Sequence, residues 1–409
     1  HQSEDSIMVD NSFHQHGPQL LAAAYGAVFT SDILDLACTS AGTAFQMPAP
    51  AIQIFEGLVL DGQARMSRAG SWDWQVHGRG ISIDSGMAIG FATDQLRTFA
   101  DQVSPHRAEE WRAFAHRIDS DDASDAAALT GNRGFWSSDY MSHGQRDFLF
   151  TIHMFSARTI PAACVNDQGK LDRHLSDGGT ALYKTGHEYD GVFPCWNWTR
   201  PPGTTVATAA ASPSCGNAKH RTSATFVGSA SDGTHGVAVQ QLLGHTAAEY
   251  IDTVIDGDFN CSKSGGIQAS GICCLKSCGL CSGDGCSRRK GGAEGCCSSE
   301  IHRRCSSTVG PPCRTDGQAP GPSPTPDVEP DANANKTWLL FDRAIIATGR
   351  AEVPKVGGLV TSVEQMVLRG PVHIGNAESA SVLADASQHD VDLSKAGAWV
   401  LHDGVGYLL

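Results

Sequence analysis

His106-Arg-Ala-Glu-Glu-Trp-Arg-Ala-Phe-Ala-His-Arg-Ile118 and Asp147-Phe-Leu-Phe-Thr-Ile-His-Met154 follow two different periods. In the first, Trp111, Phe114 and Ile118 recur three and four residues apart, which predicts an amphipathic helix with one apolar face. In the second, Phe148, Phe150, Ile152 and Met154 alternate with Asp147, Leu149, Thr151 and His153, the period of two that predicts a strand. Residues 119–127 lie between them, rich in Asp and Ser, and read as a linker. The chain therefore changes character here, helical before and sheet-forming after, which predicts an α+β multidomain protein.

The pattern extends in both directions. Residues 20–36 are rich in Ala and Leu and start behind Gly17-Pro18, a position where proline is tolerated because a first-turn N–H has no partner within the helix. Residues 51–60 and 85–99 repeat the helical spacing. Residues 337–348, 359–368 and 399–409 are strand candidates separated by glycine-containing turns, which predicts a large antiparallel β-sandwich. Between residues 255 and 336 this pattern is interrupted. Ten of the 14 cysteines fall from Cys261 to Cys313, followed by the Pro-rich tract of residues 317–335. An even cysteine count in a short Gly/Ser-rich segment predicts a small disulfide-rich insertion, with a zinc site on Cys278-Gly-Leu-Cys281 as the competing reading. The proline tract reads as an extended linker.

Net charge is −14, which argues against a nucleic-acid partner because phosphate binding needs basic surface. It leaves an anionic polysaccharide open, since a local basic groove can sit inside an acidic protein. No apolar run is long enough for a membrane span. Two sequons, Asn197-Trp-Thr199 and Asn335-Lys-Thr337, fit an extracellular, secretory route. No signal peptide is visible. The chain opens on His1 and stops on Tyr407-Leu408-Leu409 within a strand pattern, so a fragment of a longer protein is expected. No P-loop, GxGxxG, HExxH or GxSxG pattern is present. His153, His174, His187 and Glu188 are scattered donors that read as satisfied structural groups rather than a metal site.

One further segment combines groups that can do chemistry: Asp10-Asn-Ser-Phe-His-Gln-His16-Gly-Pro-Gln-Leu-Leu-Ala-Ala-Ala-Tyr25-Gly26. Taken alone, His14 and His16 read as surface or capping residues and Tyr25 as a core residue of an Ala-rich helix. The segment resembles the motif of polysaccharide lyase family 8, in which a His precedes a Tyr-Gly by nine residues. Five further stretches follow in that family's order. Gly78-Arg79-Gly80-Ile81-Ser82 resembles its arginine loop, and residues 166–183, with Ser176-Asp177-Gly178, resemble the segment ahead of its sandwich core. Arg200-Pro-Pro-Gly-Thr-Thr-Val206, residues 338–349 and residues 399–407 resemble later turns and strands.

The resemblance implies that residues 1–118 are the C-terminal part of an incomplete α/α toroid carrying the catalytic centre. Residues 119–254 are then the first part of the β-sandwich, 255–336 the insertion and linker, and 337–409 the continuation of the sandwich. It implies β-elimination on an acidic, uronate-containing polysaccharide, with no cofactor and no metal. His16, Tyr25 and Arg79 are the implied catalytic residues, and Asn166, Gln168 and His14 the implied substrate-binding ones. Such chemistry needs charge compensation at the uronate carboxylate, a base for the C5 proton and an acid for the leaving oxygen. His16 suits the carboxylate side, Tyr25 the proton relay, and Arg79 the charge beside them.

The chain departs from the family at three places. A carboxylate-binding Asn and an aromatic patch belong to helices expected upstream of His1. A second arginine, four residues after Arg79, is replaced by Ile83, and a glutamate at the sandwich edge by Gln168. These departures keep a second reading open, a carbohydrate-binding surface protein with weakened turnover. Matrix or wall contact through the cysteine-rich insertion is a further expectation.

Overall fold

The structure is a computed structural model that describes residues 5–83, 86–121, 123, 129–162, 174–207, 222–243, 266–269, 272–275, 333–352, 358–383 and 397–409. They fall into two compact units, one drawn from residues 1–190, 198–259 and 324–364, the other from 191–197, 260–323 and 365–409. A helical N-terminal region and a sheet-rich region follow each other, as the two periods predict.

The first unit opens on a short hairpin, β1 (Ser6–Ile7) and β2 (Phe13–His14), followed by α1 (Tyr25–Ser40) and α2 (Ala49–Glu56). The predicted helix over 20–36 starts five residues late. The N–H of Leu21 donates to Phe13 O at 3.0 Å and that of Ala23 to Val76 O at 3.1 Å, so this stretch is held by distant backbone rather than by a helix. α2 runs on into a π-helical turn, Gly57–Gly62, and a 3-10 turn, Gln63–Met66. The two glycines explain the widened turn. A Cβ at Gly57 would stand 2.6 Å from Asn11 Oδ1, and one at Gly62 would collide with Asn11 O, so the turn after β1 packs where side chains would otherwise be.

A second hairpin, β3 (Ser67–Arg68) and β4 (Ser71–Trp72), precedes α3 (Thr93–Gln102) and α4 (Ala108–Ser120). The helix predicted over 85–99 begins at Thr93, because the N–H of Ile89 bonds Gly70 O at 2.8 Å and draws that segment onto the β3–β4 turn. In α4, Trp111 and Phe114 are fully buried and Ile118 packs against the same core. Phe99 and Trp111 meet with ring centroids 4.7 Å apart, and Phe55 adds an edge contact to Phe99 at 5.4 Å. Truncating a buried aromatic of this kind costs about 3–5 kcal/mol. The expected linker begins later than the Asp-rich composition suggests: α4 continues to Ser120, and Asp119 accepts from Thr93 Oγ1 at 2.7 Å and pairs with Arg97. Asp121, at φ 47°, closes the helix and accepts from the N–H of Gly70.

Four antiparallel strands follow in order: β5 (Gly131–Phe135), β6 (Tyr140–Gly144), β7 (Leu149–His153) and β8 (Gly179–Tyr183). The alternation around Ile152 predicts a strand, and β7 is one with little exposed surface on either face: Leu149, Thr151, Ile152 and His153 are all buried and Phe150 is half-buried. Thr151 Oγ1 receives a hydrogen bond from Gln75 Nε2 at 3.2 Å, so the polar face is covered by the helical region. Ile152 and Met141 join Ala238 and Trp338 of a second sheet in one apolar cluster. That sheet has the order β10 (Val227–Ser231), β11 (Gly236–Leu242), β14 (Ala334–Leu340), β15 (Ile345–Ala351). The single strand predicted over 337–348 is thus a hairpin, closed where the N–H of Phe341 donates to Ala344 O at 2.9 Å. Only Leu359–Thr361 of the predicted 359–368 is strand; as β16 it pairs with β9 (Thr205–Ala207).

The hairpin β12 (Gly266–Ala269) and β13 (Ile272–Leu275) is the described part of the cysteine-rich segment. The disulfides, the zinc alternative and residues 317–332 of the proline tract lie outside the described residues, and its last two residues, Ala334 and Asn335, are already part of β14. The second unit holds a four-stranded sheet, β18 (Ala380–Leu383), β17 (Val372–Gly375), β19 (Trp399–His402) and β20 (Val405–Leu408). The strand predicted over 399–409 folds back at Asp403-Gly404, whose φ values of 48° and 74° suit a two-residue hairpin turn. Among the described residues, no helix is long and apolar enough to cross a membrane.

Candidate active site

Three backbone devices bring His16, Tyr25 and Arg79 together. The first is the loop after β2. His14 bridges Leu20, the N–H of Gln19 donates to Gly17 O at 2.7 Å, and Asp5 accepts from the N–H of Gly17 at 2.7 Å. His16 stands at the tip of this loop with φ 64° and Gly17 follows with φ 91°. A left-handed conformation is uncommon for a side-chain-bearing residue.

The second device is the late start of α1. Because Leu20 bridges to His14 and residues 22–24 form a turn, Tyr25 is the first residue of the helix rather than part of its interior, and it is 38% exposed. The third is a pair of 3-10 turns, Trp74–Val76 and Gly78–Ile83, of which the second carries Arg79. Gly78 joins them at φ 54°, and a Cβ there would press on the Leu21 side chain and stand 2.8 Å from Gln19 Nε2. Only glycine lets the arginine turn approach the His16 loop so closely.

Arg79 Nη2 donates to Tyr25 Oη at 3.0 Å, and Arg79 Nη1 lies 3.3 Å from His16 Nδ1. The His16 and Tyr25 rings are themselves 4.8 Å apart between centroids. Arg79 is only a donor, so His16 Nδ1 is the acceptor and the neutral ring carries its proton on Nε2. Tyr25 and Arg79 border an open cleft of about 300 Å3, walled by Leu21, Trp72 and His77 among others. His77 is buried, its Nε2 has no hydrogen-bond partner, and burial pushes its pKa down to about 4, so the ring is neutral at pH 7.

Sequence patterns missed the anchor behind this cleft. Asp73, wholly buried, accepts from Tyr140 Oη at 2.7 Å, Tyr183 Oη at 3.0 Å and the N–H of Gln75 at 3.1 Å. Tyr183 Oη also receives the N–H of Trp74 at 2.8 Å. The turn leading to Arg79 is thereby fastened to β6 and β8. Desolvation pushes the Asp73 carboxyl up despite these donors. The available signal was an aspartate between two tryptophans in Trp72-Asp73-Trp74, a polar group that could be surrounded by apolar residues only if fully hydrogen-bonded.

The remaining expected residues fall elsewhere. His14, expected at the substrate, is buried with no exposed surface, and its Nε2 contacts Ser138 Oγ at 2.8 Å; its place is that of an anchor between β2 and the β5–β6 turn. Asn166 and Gln168 lie outside the described residues, as does the Ile83 side chain. His174 bonds Asp177 and His187 bonds both Asp121 and Asp190, each at 2.8 Å, while Glu188 accepts from Thr185 and Gly186. Among the described residues no cluster of His, Cys, Asp and Glu is arranged to hold a metal ion.

Comparison with known proteins identifies the family. Two models of one family match: "Polysaccharide lyase family 8, N terminal alpha-helical domain" over residues 2–115, and "Polysaccharide lyase family 8, super-sandwich domain" over residues 130–278. Chondroitinase-AC of Pedobacter heparinus is 32% identical over 203 residues, covering 49% of this chain and 29% of that protein. A solved chondroitinase AC lyase matches over 100% of this chain and 47% of its own, with a TM-score of 0.71 and 23% identity. A Paenibacillus xanthan lyase matches over 100% of this chain and 34% of its own, with a TM-score of 0.61 and 18% identity. At these identities the structural likeness speaks to the fold, and the chain spans less than half the length of each relative. The two family models together cover more than half of the 409 residues, one on the helical region that holds His16, Tyr25 and Arg79 and one on the sheets behind it, and the chain belongs to polysaccharide lyase family 8.

Proposed function

We propose that this chain carries the catalytic centre of a secreted lyase that cleaves an acidic, uronate-containing polysaccharide by β-elimination. The observation that carries the reading is the single guanidinium of Arg79 in contact with both His16 Nδ1 and Tyr25 Oη.

The division of labour follows from that contact. His16, protonated on Nε2, donates to the uronate carboxylate and disperses the negative charge that develops as the C5 proton leaves. Tyr25 is the base: the Arg79 donor places positive charge at the oxygen where the phenolate forms. Tyr25 takes the C5 proton, the electron pair forms the C4–C5 double bond, the C4–O bond breaks, and Tyr25 returns the proton to the departing oxygen. The products are an unsaturated sugar and a new hydroxyl end, with no water consumed. Proton transfer by a positioned group contributes about 10²–10⁴-fold to such a step.

On this reading residues 1–118 are the C-terminal part of an α/α toroid, and 119–254 and 337–409 are two parts of one β-sandwich. The apolar cluster shared by Ile152 and Trp338 supports the sandwich. Residues 255–336 are an insertion, stapled by disulfides, that contacts a matrix or wall; deleting residues 261–313 without change in binding or localisation removes that role. Asn166 and Gln168 contact substrate from the sandwich edge.

The test is direct. Protein is incubated with hyaluronan, chondroitin, xanthan and an algal uronan, and the absorbance of the enoate product is followed. Turnover of one of them supports the lyase. Binding without product from any of them overturns it in favour of a carbohydrate-binding role.

A further inference from the structure

The turn between β5 and β6 inverts the usual polarity of a surface turn. Its polar residues Ser137, Ser138 and Asp139 are each 1% exposed, and Phe135 and Tyr140 on either side are fully buried. Trp136 alone turns outward, 49% exposed. A half-exposed tryptophan inside a run of sealed residues, with serine and aspartate inside, is the informative kind of exception to burial rules.

This tryptophan is also held still. The N–H of Ser137 donates to Asp10 Oδ2 at 2.6 Å, and Ser138 Oγ donates to Ser12 Oγ at 2.7 Å while contacting His14 Nε2. Asp139 accepts from Thr159 Oγ1 at 2.8 Å and from Ser156 and Arg158, and its own carbonyl receives the N–H of Met154 at 2.8 Å. Arg133 Nη2 donates to Asp10 O at 3.1 Å. The turn is therefore bolted to the stretch Asp10–His14, two residues ahead of His16. Counting backbone on both sides of the His14–Ser138 contact, Trp136 stands within roughly 25 Å of His16. Val9, on the loop to which the turn is bolted, is exposed as well, at 83%.

We propose that Trp136 is an aromatic subsite that stacks one sugar ring of the polysaccharide, a few residues along the chain from the bond that breaks. A pyranose presents an apolar C–H face and a polar rim, and an indole offers a large rigid plane that matches the former at small entropic cost. The contact is neutral, so it complements Arg79: the guanidinium reads the charged group at the reaction centre, and Trp136 reads ring shape at a distance. The inference rests on the proposed polysaccharide substrate.

The experiment compares Trp136→Ala and Trp136→Phe with the native full chain on chondroitin and hyaluronan oligosaccharides of increasing length. For Trp136→Ala, KM rises about tenfold on long oligosaccharides and far less on the shortest, and KM is affected more than kcat. Trp136→Phe recovers most of the loss. The melting temperature of each variant is measured alongside. A length-independent change, or a fall in kcat that tracks a lower melting temperature, overturns the subsite. Calorimetric binding of the same oligosaccharides in a Tyr25→Phe background separates the two readings. If native protein shows no turnover but Trp136→Ala weakens binding, the subsite stands and the lyase falls. If turnover occurs and binding ignores Trp136, the subsite falls and the lyase stands.

Discussion

Arg79 reaches Tyr25 Oη at 3.0 Å with one terminal nitrogen and approaches His16 Nδ1 at 3.3 Å with the other, so one planar fork sets the geometry of two different side chains. Lysine offers a single point charge and cannot span both. Arg79→Lys is expected to lower kcat/KM by about 10²–10³-fold, the usual loss for one preorganised donor. Tyr25→Phe is expected to lower kcat by about 10²–10⁴-fold with KM little changed. Initial rates of enoate formation measure both. Full activity in Tyr25→Phe would show that another group is the base.

His16 keeps a left-handed backbone, φ 64°, which glycine adopts freely and alanine does not. Both His16→Gly and His16→Ala remove the imidazole and are expected to abolish turnover. They differ in stability, with the glycine variant the more stable by about 1 kcal/mol. Urea midpoints decide, and equal midpoints mean that the loop relaxes when the ring is gone.

Asp73 is the acceptor for two buried phenols. Asp73→Ala leaves both unpaired, each at about 1–3 kcal/mol, whereas Asp73→Asn keeps one carbonyl acceptor. Thermal unfolding should rank native above Asn above Ala. Because the Trp74 turn hangs on Tyr183, activity should fall in the same order.

His77 and His153 are buried with pKa values of about 4, below the ordinary value of 6.5. Between those limits the unfolded chain binds more protons than the folded one, so stability is present above pH 6.5 and is lost as the pH falls toward 4. Each imidazole contributes at most roughly 3 kcal/mol to that loss. Urea unfolding at pH 7, 6, 5 and 4 measures the slope. Replacing both by Gln is expected to flatten it, and an unaltered slope assigns the acid sensitivity to other groups.

The helix at Trp111 and Phe114 and the strand at Ile152 were legible because their periods are local properties of the chain. Boundaries were not. Nothing in the Ala-rich run after Pro18 reveals that Phe13 and Val76 take its backbone groups, and that long-range pairing is what puts Tyr25 at a helix start. The split of 337–348 was missed because its apolar residues continue across the turn at Phe341. For the site, the nine-residue spacing of His16 and Tyr25 and the glycines around Arg79 were readable, and the structure brings these three together. Asp73 and His77 carry no motif; the environment of Asp73 exists only after Tyr140 of β6 and Tyr183 of β8 close on it, and that of His77 only once the cleft is assembled. His14 misled because one histidine two residues from another looks like part of the same site.

The strands Gly236–Leu242 and Ala334–Leu340 are hydrogen-bonded neighbours, with Leu242 paired to Ala334, although residues 243–333 come between them. Chain leaving one strand returns to its partner beside the exit point, and closure entropy grows only with the logarithm of the length in between. This hairpin end is therefore a port: cargo can be enlarged, shortened or exchanged there while the register of the sheet is preserved. A family built on such a sheet can acquire new modules at one edge without redesigning the catalytic loop, and an engineer can graft a tag or a second binding domain at the same place.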